Sequence, residues 1–108
     1  MYKTKNGKMM RKIYVSLPIV GKDENEVRLR CEKAKAKYTI DGDVVVTPID
    51  VIDSFTMPYA TEVGKCIAAL LDCDHAVFLN GWADANECNL ELQTCLLYCI
   101  DYHVDARL

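Results

Sequence analysis

The stretch Leu70–Glu91, LLDCDHAVFLNGWADANECNLE, decides the fold, because an apolar run there passes through a polar turn into a helical pattern. His75-Ala76-Val77-Phe78-Leu79 shows no period-2 alternation, as expected of a strand covered on both faces of a parallel sheet. In open parallel sheets ligands meet the chain beyond the carboxyl ends of the strands. Asn80-Gly81-Trp82 and the first turn of the next helix therefore stand on the ligand side, and Glu91, one turn further in, is the leading candidate for chemistry.

Upstream, Lys12–Leu17 (KIYVSL) reads as the first strand, and Pro18-Ile19-Val20-Gly21 turns the chain at its carboxyl end. Asp23-Glu24-Asn25-Glu26 has the form of a capping box, opening a helix to about Tyr38 with Val27, Cys31, Ala34 and Tyr38 as its buried stripe. Asp41-Gly42-Asp43 signals a turn, Val44–Thr47 a second buried strand ended by Pro48, and Ile49–Tyr59 a loop without a clear period. Ala60–Asp72 reads as a helix with Val63, Ile67, Leu70 and Leu71 inward. After the central strand, Ala83–Asn86 is a polar turn with Asn86 as N-cap. Cys88, Leu92, Cys95, Leu96 and Cys99 give the core stripe of the last helix, and Tyr102–Ala106 a short edge strand. Leu90 and Leu97 fall on the opposite side of that helix, which predicts a homo-oligomer packed through residues 86–100. The alternation of strands and helices implies an α/β fold, a three-layer α/β/α sandwich with a mostly parallel sheet and right-handed crossovers.

At 108 residues, 51% apolar and 27% charged, the chain suits one domain, taken as residues 12–108, behind a polar arm over residues 1–11 that is either disordered or an extended lead. The net charge of -3 lacks the basic excess that grips a phosphate backbone, which argues against duplex nucleic acid and leaves a single nucleotide open. No apolar run approaches the roughly 20 residues that span a bilayer, and no signal-like apolar core follows the basic start, so no membrane partner and a cytoplasmic location are expected. The six cysteines lie in apolar patterns and form no CxxC pair, the pattern of buried thiols. Cys73-Asp74-His75 alternates across a strand, so no metal site is expected. There is no GxGxxG and no P-loop, hence no dinucleotide or other cofactor held in the familiar way.

Three pieces together resemble the nucleoside 2-deoxyribosyltransferase-like superfamily, a flavodoxin/Rossmann-like group, and within it a small, often phage-associated branch of uncharacterised members. That branch begins Y-x-A-G-P-x-x-G, and Tyr14-Val15-Ser16-Leu17-Pro18-Ile19-Val20-Gly21 keeps the Tyr, Pro and final Gly. Its L-x-x-C-D is matched by Leu70-Leu71-Asp72-Cys73-Asp74. Its G-W-x-x-S-x-G-[AC]-x-x-E is matched at Gly81, Trp82, Cys88 and Glu91. The resemblance covers about Arg11 to Ile100 and implies a small-molecule nucleoside or nucleotide as partner. It implies a retaining transfer in which a glutamate, here Glu91, attacks C1′ of the deoxyribose, with Tyr14 orienting it. Ser16, Leu17, Pro18, Gly21, Gly81, Trp82, Ala85 and Glu87 fall around the implied ligand. A carboxylate is a competent nucleophile toward an oxocarbenium-like carbon once desolvated and positioned.

The chain departs from that pattern at four places. Ala85 stands where active enzymes carry Ser or Asp, Glu87 replaces the glycine of the same turn, Cys66 replaces an Asp of the preceding helix, and Leu17 replaces the first glycine of the opening motif. Glu87 brings a negative charge to where a phosphate approaches a helix N-terminus. These departures keep two alternatives open, a non-catalytic nucleoside- or nucleotide-binding module and an oligomeric interaction protein. Trp82 is either a stacking platform or a hydrophobic plug. His75 and His103 are expected to be structural, and Ser16 has no His partner in sequence for serine hydrolysis.

Overall fold

The computed structural model describes residues 2–3, 9–40 and 42–108. Strands β1 (Tyr2–Lys3) and β2 (Met9–Met10) pair antiparallel, while residues 1 and 4–8 of the polar arm and Asp41 of the expected turn lie outside the described residues. There follow β3 (Lys12–Ser16), α1 (Glu24–Tyr38), β4 (Val44–Val46), α2 (Pro48–Val51), α3 (Tyr59–Leu71), β5 (His75–Leu79), α4 (Asn86–Tyr98) and β6 (Asp101–Asp105).

The four long-range strands form one parallel sheet in the order β4-β3-β5-β6. The chain moves from β3 outward to β4, then returns past β3 to β5 and on to β6, so the winding direction reverses beside β3. Right-handed crossovers then require α1 on one face and α3 and α4 on the other. The two cores show this arrangement: Ile13, Val15, Val77 and Leu79 pack on Val27, Cys31 and Ala34 of α1. Tyr14, Ala76 and Phe78 pack on Cys66 and Leu70 of α3 and Cys95 of α4. The expected three-layer α/β/α sandwich is therefore what the chain adopts.

The central position of β3 and β5 explains why neither alternates between buried and exposed residues, since both faces are covered. The edge strands differ: Val44 on β4 and Tyr102 and Val104 on β6 are exposed, so the second strand is an edge strand rather than a buried one. Strand β6 begins at Asp101, one residue before the expected start.

Helix phases carry the main corrections. On α3 the inward stripe is Glu62, Cys66 and Leu70, with Leu71 exposed and Val63 and Ile67 half-buried. On α4 the buried positions are Glu87, Cys88, Glu91, Thr94 and Cys95, leaving Leu96 and Cys99 in solvent. In both helices a buried glutamate defines the stripe, and a purely hydrophobic reading rotates the helix away from it. The segment read as loop after Pro48 begins with the short helix α2, where the Thr47 N–H and Oγ1 donate to Asp50 Oδ2 at 2.8 and 3.0 Å.

At the start of α1 the Asp23 half of the expected capping box forms: the Asp23 carboxylate accepts the Glu26 N–H at 3.0 Å and satisfies an orphan donor of the first turn. Asp23→Ala should therefore lower stability by about 1 kcal/mol. A urea midpoint equal to that of the wild type would show that this cap contributes nothing.

Candidate functional site

The winding reversal beside β3 opens a crevice at the carboxyl ends of β3 and β5, where open α/β sheets take ligands. Tyr14 and Ser16, two residues apart on β3, point to the same face, the one that α4 covers. Helix α4 begins at the carboxyl end of β5 and runs back along the sheet, which sets Glu91 beside both hydroxyls. The Tyr14 hydroxyl donates to Glu91 Oε2 at 2.7 Å and the Ser16 hydroxyl donates to Glu91 Oε1 at 2.6 Å. Each carboxylate oxygen thus has its own donor, and the carboxylate plane is fixed from both sides.

Glu91 is 4% exposed, and burial pushes its carboxyl up to about 7 against the pull of the two hydroxyl donors, with Glu87 adding a further upward push. Burial and the neighbouring Glu91 charge hold the Tyr14 hydroxyl well above its ordinary value, so it remains a donor. The Cys66 thiol, on the inward stripe of α3, is pushed up to about 12 by burial and is inert as a nucleophile at neutral pH.

Glu87 lies one helical turn before Glu91, nearer the mouth of the crevice. Its Oε2 accepts the N–H groups of both Ile19 and Val20, each at 3.1 Å. The β3–α1 loop is also anchored on its other side, because Leu17 and Ile19 are buried in the α1-side core. Leu17 is thus a core anchor rather than part of the cleft wall. Gly81 turns the chain with φ of 92°, and a Cβ there would come within 3.3 Å of Pro18 Cγ, so loop and turn are in close contact.

Two cavities flank this loop. A cleft of about 450 Å³ is lined by Pro18, Gly81, Ala85 and Glu87, with Lys22 and Arg30 as its cations. A second cavity of about 370 Å³ lies against Gly21, Phe55, Met57, Tyr59 and Glu62. Among the expected ligand residues, Pro18, Gly81, Ala85 and Glu87 meet at the first cleft and Gly21 reaches the second. Ser16 and Tyr14 lie deeper, on Glu91, and Glu91 itself lines neither space. Trp82 packs edge-on against Phe78 at 5.8 Å between centroids, in the α4-side core and outside the lining of both cavities.

Ala85, not Asn86, is the N-cap of α4, and it offers no side-chain acceptor. The turn is instead closed from inside the helix, by Asn89 Nδ2 donating to the carbonyls of Ala83 and Ala85 at 3.0 and 2.9 Å.

Two residues of this region carry no motif signal. Arg30, on the charged side of α1, reaches over to donate to the carbonyls of Asn80 and Leu108 at 2.7 and 2.8 Å. Glu62 is 7% exposed, and burial followed by the charge of Glu87 raises its carboxyl above the ordinary value. A polar residue at an inward helical position was the available signal for it. The two histidines pair with each other at the β5–β6 edge, His75 Nε2 to His103 Nδ1 at 2.7 Å, away from Glu91.

Residues 11–100 match the family described as "Domain of unknown function (DUF4406)". A comparison with curated proteins returns no match.

The raised Glu91 carboxyl makes stability depend on pH. Because its folded value lies above the ordinary 4.5, its contribution is complete below about pH 4.5 and is lost as pH rises through about 7. The loss is on the order of 3 kcal/mol. Glu91→Gln removes the titration, so its stability relative to wild type should rise between pH 4.5 and pH 8. Parallel pH profiles of the melting temperature for the two proteins would refute this.

Proposed function

The chain belongs to the DUF4406 family, and we propose that it acts on the N-glycosidic bond of a nucleoside or nucleotide by a retaining mechanism. The observation that carries this reading is the buried Glu91 carboxylate with one hydroxyl donor on each oxygen. Such a group is desolvated and held in one orientation, which is what carboxylate nucleophiles at C1′ require. The resemblance of the Tyr14–Gly21, Leu70–Asp74 and Gly81–Glu91 motifs to nucleoside 2-deoxyribosyltransferases agrees with it.

In this mechanism ionised Glu91 attacks C1′, and the C1′–N bond breaks with its electron pair leaving on the base. Tyr14 and Ser16 are positioning residues, holding the carboxylate oxygen toward the sugar. Glu62, kept protonated more readily than an exposed carboxyl, stands on the wall of the second cavity as the group that hands a proton to the departing base. A water or a second base then attacks C1′, gives its proton to the ionised Glu62 and frees Glu91 as the C1′–O bond to it breaks. The atoms balance with that acceptor alone. Pro18, Gly21, Gly81 and Ala85 surround the substrate, and the six unpaired thiols fit a reducing cytoplasm.

Chromatographic detection of free base, over a panel of deoxynucleosides and deoxynucleotides, tests this. Wild type should release base with a bell-shaped pH profile, its rising limb set by ionisation of Glu91 and its falling limb by loss of the Glu62 proton, and Glu62→Gln should abolish the falling limb. Glu91→Gln should lose roughly a thousandfold or more. Absence of release from every substrate by folded protein would overturn the enzymatic reading. The second reading, a binding module, is favoured by Glu91 lining neither cavity; it predicts ligand-induced thermal stabilisation without product.

The homo-oligomer is likewise a proposal, supported by the outer side of α4, where Leu90, Leu96, Leu97 and Tyr98 are exposed, Leu97 to 77%. Strand β6 leaves Tyr102 and Val104 exposed on the same face of the sheet. Light scattering after size exclusion should give a mass above one chain, and Leu97→Glu should reduce it to that of one chain. A monomeric wild type would refute the proposal.

A further inference from the structure

We infer that Glu87 sets the specificity of this site: its carboxylate fills, from within the chain, the place of a ligand's anionic group, so the site takes an uncharged nucleoside and refuses the phosphorylated form. The ligand's identity rests on the proposed N-glycoside reading, whereas the behaviour toward anions does not.

The argument starts from two consecutive amides. The N–H groups of Ile19 and Val20 converge on a single oxygen, Glu87 Oε2, at 3.1 Å each. Successive backbone N–H groups aimed at one point form the cradle that proteins use for phosphate and other oxyanions. Here the cradle is occupied by a side chain that is only 9% exposed, and both amides are satisfied without a ligand.

A phosphate taking the place of Glu87 is disfavoured for three reasons. The two amides are the only hydrogen-bond donors to its carboxylate among the described residues, so displacement by a phosphate breaks both of these charge-assisted bonds. The carboxyls of Glu62 and Glu91 stand near enough for its charge to raise both, so there is like charge around the position it would vacate. The cleft outside also carries Glu26 and Asp84, and of its two cations Arg30 is already committed to the carbonyls of Asn80 and Leu108. A phosphate entering the 450 Å³ cleft meets Lys22 as the remaining cation and a filled cradle behind it. A neutral hydroxymethyl group meets neither obstacle.

The test uses the full chain as wild type, Glu87→Ala and Glu87→Gln, each verified as folded by circular dichroism, titrated with inorganic phosphate by calorimetry. Wild type should show no saturable binding in the millimolar range. Glu87→Ala, which empties the cradle and removes the charge, should bind phosphate at least about tenfold more tightly. Glu87→Gln, which keeps the shape but leaves a neutral and displaceable group, should gain a smaller, several-fold increase and remains informative if the alanine variant does not fold. Wild-type binding as tight as that of either variant, or no gain in a folded variant, overturns the inference. In the base-release assay, the ratio of rates on a deoxynucleoside and its 5′-monophosphate should move toward the monophosphate by about tenfold in Glu87→Ala. If no protein releases base, the N-glycoside reading fails while the phosphate titration still decides the role of Glu87.

Discussion

A carboxylate buried between a sheet and a helix costs several kcal/mol unless donors replace its water. Glu91 is such a group, and Tyr14 and Ser16 are the donors that make its burial tolerable. Much of the local architecture follows from that requirement. Strand β3 must carry hydroxyls rather than aliphatic groups at the two positions facing α4. Helix α4 must present Glu91 at their height, which fixes its rotation and turns Leu96, Leu97 and Tyr98 outward. Its contact with the sheet is therefore polar toward the crevice and lined by the thiols of Cys88 and Cys95 elsewhere.

The same chemistry explains the asymmetry between the faces. Beneath α1 the core is aliphatic, from Ile13 and Val15 to Val27 and Ala34. On the other face, Glu62, Glu87 and Glu91 all point inward from α3 and α4. Three buried carboxyls near one crevice share few donors, and the charge of Glu87 bears on the other two. Such concentration of unfavourable burial is characteristic of sites and is rare in cores built for stability alone.

The two central strands were legible from sequence because strands covered on both faces lack polar alternation, as the runs at Lys12–Leu17 and His75–Leu79 do, whereas the same reading of Val44–Thr47 missed that it lies at the edge. Helix α1 was legible because Asp23 announces its start and its aliphatic stripe is regular. The phases of α3 and α4 were not, since hydrophobic periodicity assigns glutamate to the outside and these helices bury Glu62, Glu87 and Glu91. For α4 the motif located Glu91, but nothing local revealed that Ser16 would serve its second oxygen or that Glu87 would turn inward onto loop amides. Those contacts join positions 75 and 68 residues apart, and only the sheet order brings them together.

That sheet order also governs the time course of assembly. The first central strand finds one neighbour in Val44–Val46 and the other only in His75–Leu79, with Ile13 opposite His75. On a ribosome adding about 5–20 residues per second, Ile13, Tyr14 and Val15 wait several seconds for the strand that completes their pairing. Non-local parallel pairing of this kind is slow in solution as well, because chain closure precedes any reward from contact. Protecting a nascent apolar segment during that interval is the demand that a sheet wound outward from its first strand makes on the cell.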